Sequence, residues 1–254
     1  MSTLTAKRPR AFVRVAGPDA ADYLQRMLSN DVEALAPGES CEALLLTAKA
    51  RVIAPLLVLR RAADDFLLLT EPELGDRVRT ELVRMRLGAK AAVEPEEHSS
   101  TLVLGERPRG ALPNADYGRE AWEVLDAEVA GKPISPEELE RLRIGAGTPR
   151  FGAEIDDRVL PAEAGLTERA VSFSKGCYPG QEPIARQHYR GKLNRRLRVL
   201  EVEGEVARDA EIRLGEKAVG RVTSVVPGLA LAFVRTEVPE DAVLEIGAAK
   251  ARLH

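Results

Sequence analysis

Cys177 stands in the segment Ser174-Lys175-Gly176-Cys177-Tyr178-Pro179-Gly180-Gln181-Glu182-Pro183-Ile184-Ala185-Arg186, the stretch of the chain richest in chemistry. Pro179-Gly180 is the pair favoured at the centre of a type II turn, because proline presets φ and glycine accepts a positive one. Gly176 allows close backbone approach on the other side of the thiol. Lys175 lies two residues from it, and Pro183 fits the first turn of a helix starting near Gln181 or Glu182, whose amide end also favours a thiolate. The segment therefore reads as an exposed nucleophile or transient metal ligand at Cys177, with Lys175 supporting the thiolate. A small cysteine packed in a structural turn is the alternative. Glu182 and Arg186, four apart, read either as a helix salt bridge or as a substrate clamp.

Beyond this segment the candidates thin out. Arg186, Arg190, Lys192, Arg195, Arg196 and Arg198 form a run without an acid, with His188 and Tyr189 interleaved. Such a run suits phosphates or another polyanion, but charge runs are usually solvated faces, and direct RNA binding is not expected. Cys41 opens an apolar strand and reads as core. With 2 cysteines and 3 histidines at no ligand spacing, the chain is not expected to hold a resident metal.

Composition sets the outer bounds. The 254 residues are 44% hydrophobic and 30% charged, ordinary for a folded chain, and Lys+Arg 37 against Asp+Glu 40 leaves a net charge of -3. A bulk polycation is excluded, so any anion site must be local. No apolar run reaches the roughly 18 residues of a membrane span, and the N-terminal MSTLTAKRPR lacks the apolar core of a secretory signal. A cytoplasmic location, with no membrane partner, is the expectation.

The elements that would position the segment change character along the chain, as in an α+β protein with more than one packed unit. Strands are predicted at Phe12–Val15, Cys41–Thr47, Val52–Leu59 and Asp65–Thr70, with Pro55 marking an edge or a bulge. Helices are predicted after Gly17-Pro18-Asp19, from Pro72 to Leu87, and from Ser135, which has N-cap chemistry followed by proline and acids. Ala91–Glu94 and Leu102–Leu104 are expected to complete one small sheet. Residues 105–120 read as a loop and Trp122–Leu125 as a strand. From Leu197 onward, short alternating runs read as a small β-barrel, which puts a boundary near residue 195.

With these residues in view, the sequence resembles a known family. Lys175-Gly176-Cys177-Tyr178-x-Gly180-Gln181-Glu182, then Ala185-Arg186 and Tyr189-Arg190-Gly191, is similar to the signature of the YgfZ family of folate-binding, GcvT-like proteins, which are related to mitochondrial assembly factors for [4Fe-4S] proteins. Leu142-Arg143-Ile144-Gly145-Ala146-Gly147-Thr148-Pro149 resembles the family's "LRIEAGxP", with Gly145 where glutamate is usual. Tyr23-Leu24-Gln25 with Asn30-Asp31, and Val219-Gly220-Arg221-Val222-Thr223-Ser224, extend the likeness over nearly the whole chain.

The resemblance implies an α+β fold: a ring of two α+β subdomains within 1–194, possibly discontinuous, and a C-terminal β-barrel at 195–254, around a central folate-sized cavity. It implies tetrahydrofolate or another folate as cofactor, with Tyr178, Gln181, Glu182, Arg186 and Arg190 as contacts. It further implies support of [4Fe-4S] cluster assembly or repair together with client or assembly proteins, an indirect effect on tRNA thiolation, and Cys177 as the functional thiol. A tetrahydrofolate-dependent aminomethyltransferase, like the T-protein of glycine cleavage, is the alternative. That enzyme's acidic pair in "GGxIDDLxV" aligns with Ala54 and Pro55, neither of which can take or stabilise a proton. Ala50 replaces the glycine of the family's "KGR", so a turn needing positive φ there would carry strain.

Overall fold

A computed structural model describes residues 3–254. Among these residues the strands sort into two five-stranded sheets and a closed six-stranded barrel. The first sheet, rich in leucine, runs in the order Ser40–Leu46, Val52–Ala62, Asp65–Thr70, Ala11–Ala16, Ala92–Glu96. Its near-continuous apolar runs, Leu44-Leu45-Leu46 and Phe66-Leu67-Leu68-Leu69, follow from burial on both faces. Leu45, Phe66 and Leu68 point with Val13 and Val15 under helices α1 (Ala20–Met27) and α2 (Gly75–Met85). Leu44 and Leu46 pack on the opposite face against the later segment that carries Tyr178 and Ile184. Pro55 is tolerated because Leu44 opposes it on one side, while pairing on the other side begins only at Leu57.

The second sheet contains Trp122 and runs Lys132–Pro133, Leu4–Lys7, Ser100–Leu104, Ala121–Leu125, Leu112–Pro113. Leu102 and Leu104 pack there with Leu4 and Ala6 against helix α3 (Pro136–Gly145). Ser135 caps that helix, its Oγ accepting from the Glu138 amide at 3.1 Å. Two expectations change here. Ala92–Glu96 joins the leucine-rich sheet beside Ala11–Ala16, whereas Ser100–Leu104 joins the Trp122 sheet beside Leu4–Lys7. The break between them is pinned by His98, whose ring nitrogens lie 2.9 Å from Glu96 and 2.5 Å from Asp126. The Pro72–Leu87 helix resolves into a 3-10 turn, Pro72–Leu74, followed by α2.

The barrel closes in the order Arg195–Glu203, Leu229–Arg235, Lys217–Val226, Glu211–Leu214, Val243–Ile246, Ala249–Leu253. Between α3 and the barrel, two short helices, α4 (Thr167–Ala170) and α5 (Gln181–Arg190), pack across the end of the leucine-rich sheet. Ser29 ties this segment down: its Oγ donates to Ala170 O at 2.5 Å and accepts from the Leu44 amide at 2.8 Å. Among the described residues no helix is long and apolar enough to cross a membrane.

Candidate functional site: the Cys177 loop and the ring centre

The loop before α5 is built on a type II turn. The Gln181 amide donates to Tyr178 O at 3.2 Å, and Gly180 sits at φ 84, ψ 1. A Cβ on Gly180 would stand 2.7 Å from Thr47 O and 3.0 Å from Ala50 Cα, so only glycine lets the turn seat on the Thr47–Arg51 hairpin. Ala50 itself has φ 57. This left-handed position costs an alanine roughly 1–2 kcal/mol, and its fully buried methyl, packed in the cluster with Tyr178 and Ile184, works against that strain. Gly180→Ala is expected to lower the unfolding free energy by about 2–4 kcal/mol, from positive φ plus overpacking. Gly176→Ala meets nothing within 4 Å and is expected to stay within about 0.5 kcal/mol of wild type. Urea unfolding midpoints of the two variants check the pair.

Cys177 is exposed at this turn, and Cys41 is half-buried. Burial pushes the Cys41 thiol up to about 12, against the pull of the Lys175 charge. Lys175 is where the geometry departs from the expected role. Its ammonium donates to the carbonyls of Gln25, Leu28 and Asn30 at 2.5, 2.6 and 2.9 Å, and lies 5.2 Å from the Tyr178 ring centroid. All three donors are spent on the C-terminal end of α1, a favourable place for a cation, so Lys175 is a positioning residue and not a partner of the Cys177 thiol. Burial pulls its pKa down to about 8, against the charges of Asp31, Cys41 and Glu33.

The residues expected to contact folate do not converge. Tyr178 is buried in the core beneath the loop. Gln181 opens α5, and Glu182 is exposed and makes no ion pair with Arg186 among the described residues. Arg186 and Arg190 do come together, in an open groove shared with Lys49 and Arg51. None of the five lines the cavity between the two sheets.

That cavity lies where both sheets and the segment from α3 to α4 meet, and ion pairs fill it. Arg169 on α4 grips Glu42 with two nitrogens at 2.5 and 2.6 Å and reaches Asp116 at 2.8 Å. Arg10 holds the fully buried Glu123 at 2.9 Å, while Arg8 lies 3.3 Å from Glu71 and 3.5 Å from both Asp116 and Glu123. Burial works against these charges, yet Arg169 and Arg8 hold the Asp116 carboxyl below its ordinary range. The remaining space is about 90 Å³, well under the roughly 300–1,000 Å³ of small-molecule sites. A molecule the size of folate does not fit this arrangement. Phe151 lines the cavity, whereas Phe173 stacks on His188 with centroids 4.0 Å apart and Trp122 donates to Gly105 O. Pro55 lines it too, its carbonyl accepting from Thr70 Oγ1 at 2.8 Å, while Ala54 is buried beside it. Nothing in the spacing of Glu42, Asp116 and Arg169 announces the lattice, because the residues come from three separate units.

Known proteins place this arrangement. The crystal structure of the glycine cleavage system aminomethyltransferase T from Bartonella henselae superposes with a TM-score of 0.85 over 98% of this chain and 84% of that one, at 18% identity. The fold is therefore GcvT-like, with a closed C-terminal barrel. Residues 194–254 match the family described as CAF17, C-terminal beta-barrel domain. Over 244 residues the chain is 30% identical to the tRNA-modifying protein YgfZ of Edwardsiella ictaluri (strain 93-146), covering 80% of this chain and 73% of that protein. The chain belongs to the YgfZ family. Its likeness extends to the mitochondrial iron-sulfur cluster assembly factor IBA57 of Mus musculus, 26% identical over 233 residues, which are 77% of this chain and 65% of that protein. Within the YgfZ family this member has the expected signature turn, with alanine at the hairpin position that adopts positive φ.

Proposed function

We propose that this chain supports assembly or repair of [4Fe-4S] cluster proteins in the cytoplasm, with an indirect effect on tRNA thiolation, and that Cys177 is the thiol that meets the cluster. The observation that carries the reading is the exposed thiol on a turn rigidly seated against the Thr47–Arg51 hairpin. The names of the relatives support it: one is a tRNA-modifying protein and the other an iron-sulfur assembly factor. A [4Fe-4S] cluster takes about four ligands, so one thiolate supplies a single, exchangeable bond to iron. The cluster is cargo in this reading, and the client protein provides the remaining ligands. The alternative, aminomethyl transfer, lacks its acids at Ala54 and Pro55.

The test is rescue of [4Fe-4S] enzyme activity in cells lacking their own family member, with wild type and Cys177→Ala at matched expression. Wild type is expected to rescue and Cys177→Ala to fail while keeping its unfolding midpoint, because the side chain is exposed. Rescue by both would remove the thiol from the function. Folate, the cofactor that the family resemblance implies, is tested on the same preparations by calorimetry with 5-formyltetrahydrofolate. The narrow, ion-paired cavity between the two sheets is expected to give no saturable heat, and tight binding would mean that the Arg169 ion pairs rearrange.

A further inference from the structure

We infer that the groove between α5 and the Thr47–Arg51 hairpin binds single-stranded nucleic acid, phosphodiesters lying in the groove and a base stacking on Tyr189. Pro183, Arg186, Gln187 and Arg190 fall on one face of α5 and, with Lys49 and Arg51 opposite, enclose an open groove of about 700 Å³. None of its lining residues is acidic. Among the described residues, none of the four cations lies within ion-pair distance of a carboxylate, although the chain carries Asp+Glu 40. Two later members of the basic run differ: Arg195 is paired with Glu163 at 3.2 Å and Arg198 with Glu240, whereas Lys192 and Arg196, outside the groove, have no ion pair among the described residues. The fold thus splits the run 186–198, neutralises part of it, and adds Lys49 and Arg51 from a distant hairpin to the rest. Arg51 is held in place by donating to Arg158 O.

An acidic peptide or a lone anion would account for the charge and leave the next face of α5 without a purpose. There Tyr189 is 70% exposed, and His188 stacks on Phe173 with its ring edge toward Tyr189, centroids 4.8 Å apart. Cations along a groove beside an exposed aromatic ring are the elements of sequence-tolerant single-strand binding, where each stacked base is worth about 1–3 kcal/mol. RNA and DNA share this chemistry. The inference uses no atom of Cys177, so it stands or falls apart from the cluster reading.

Fluorescence anisotropy with a labelled oligo(U) 12-mer, an oligo(dT) 12-mer and an oligoglutamate 12-mer tests it. Four phosphate contacts on a single strand predict a log–log salt slope of about -2.8, a loss of roughly 50-fold between 50 and 200 mM salt. Arg186→Ala/Arg190→Ala is expected to halve that slope. Tyr189→Ala is expected to weaken binding at least 5-fold with the slope unchanged. All these side chains are on the surface, and Cys177→Ala is expected to bind as wild type. Binding of either strand supports the inference, and the tighter of the two names the source. Oligoglutamate binding as tight as the oligonucleotides, an unchanged slope in the double variant, or no binding at 50 mM salt would overturn it.

Discussion

Arg169→Ala is expected to destabilise the protein by about 2–3 kcal/mol, below the range for breaking a fully buried pair, because its side chain and those of Glu42 and Asp116 are a fifth to a quarter exposed. The size follows from what is left behind. Glu42 belongs to the leucine-rich sheet, Asp116 to the loop that precedes Ala121–Leu125 in the Trp122 sheet, and Arg169 to α4, so one guanidinium ties three units together. Without it, Glu42 loses its bidentate partner and Asp116 keeps only Arg8 at 3.5 Å, while water reaching both carboxylates offsets part of the loss. Arg169→Lys keeps the charge but loses the planar fork and is expected to recover about half of the loss.

Acid sharpens the test. The Asp116 carboxyl is held below its unfolded value, so its stabilisation is complete above that value and is lost as pH falls through the folded one. In Arg169→Ala the depression shrinks and the acid transition moves to higher pH. Chemical unfolding midpoints at pH 7 and pH 4 measure both effects. A variant within about 0.5 kcal/mol of wild type at pH 7 would mean that water offsets the whole loss, which would open the cavity to a ligand.

The elements with local chemistry are legible in the sequence. Ser135-Pro136 starts α3, Pro179-Gly180 makes the turn ahead of α5, and the alternating runs after Leu197 close into a barrel. What escaped depends on distant partners. Leu4–Lys7 has one large apolar side chain and becomes a strand because Ser100–Leu104 and Lys132–Pro133 flank it. Ala92–Glu96 and Ser100–Leu104 look like one hairpin, yet they part into different sheets. In the site the same limit applies: Cys177 and its turn were visible, whereas the Arg169 lattice and the alliance of Arg186 with Arg51 exist only in three dimensions. Lys175 departs from its sequence reading for a related reason. Four methylenes let its ammonium reach past its sequence neighbours to the end of α1.

Lys175→Met therefore discriminates between the two roles that its position allows. Methionine keeps the length of the side chain and removes the charge, leaving the carbonyls of Gln25, Leu28 and Asn30 without their donor. Each lost hydrogen bond to a charged group is worth about 1.5–3 kcal/mol, partly offset because the ammonium is no longer desolvated. The expected net loss is about 2–4 kcal/mol on that basis, seen in the urea midpoint. The pH dependence carries the sign. The folded pKa of about 8 lies below the ordinary 10.5, so the unfolded chain holds more protons between them, and this lysine makes wild-type stability rise with pH across that window. Lys175→Met abolishes the rise. Iodoacetamide alkylation of Cys177 in the folded variant is expected to run at the wild-type rate, because the donors that were removed never faced that thiol. A variant with an unchanged midpoint but a Cys177 alkylated several-fold more slowly would return Lys175 to the chemistry of the loop.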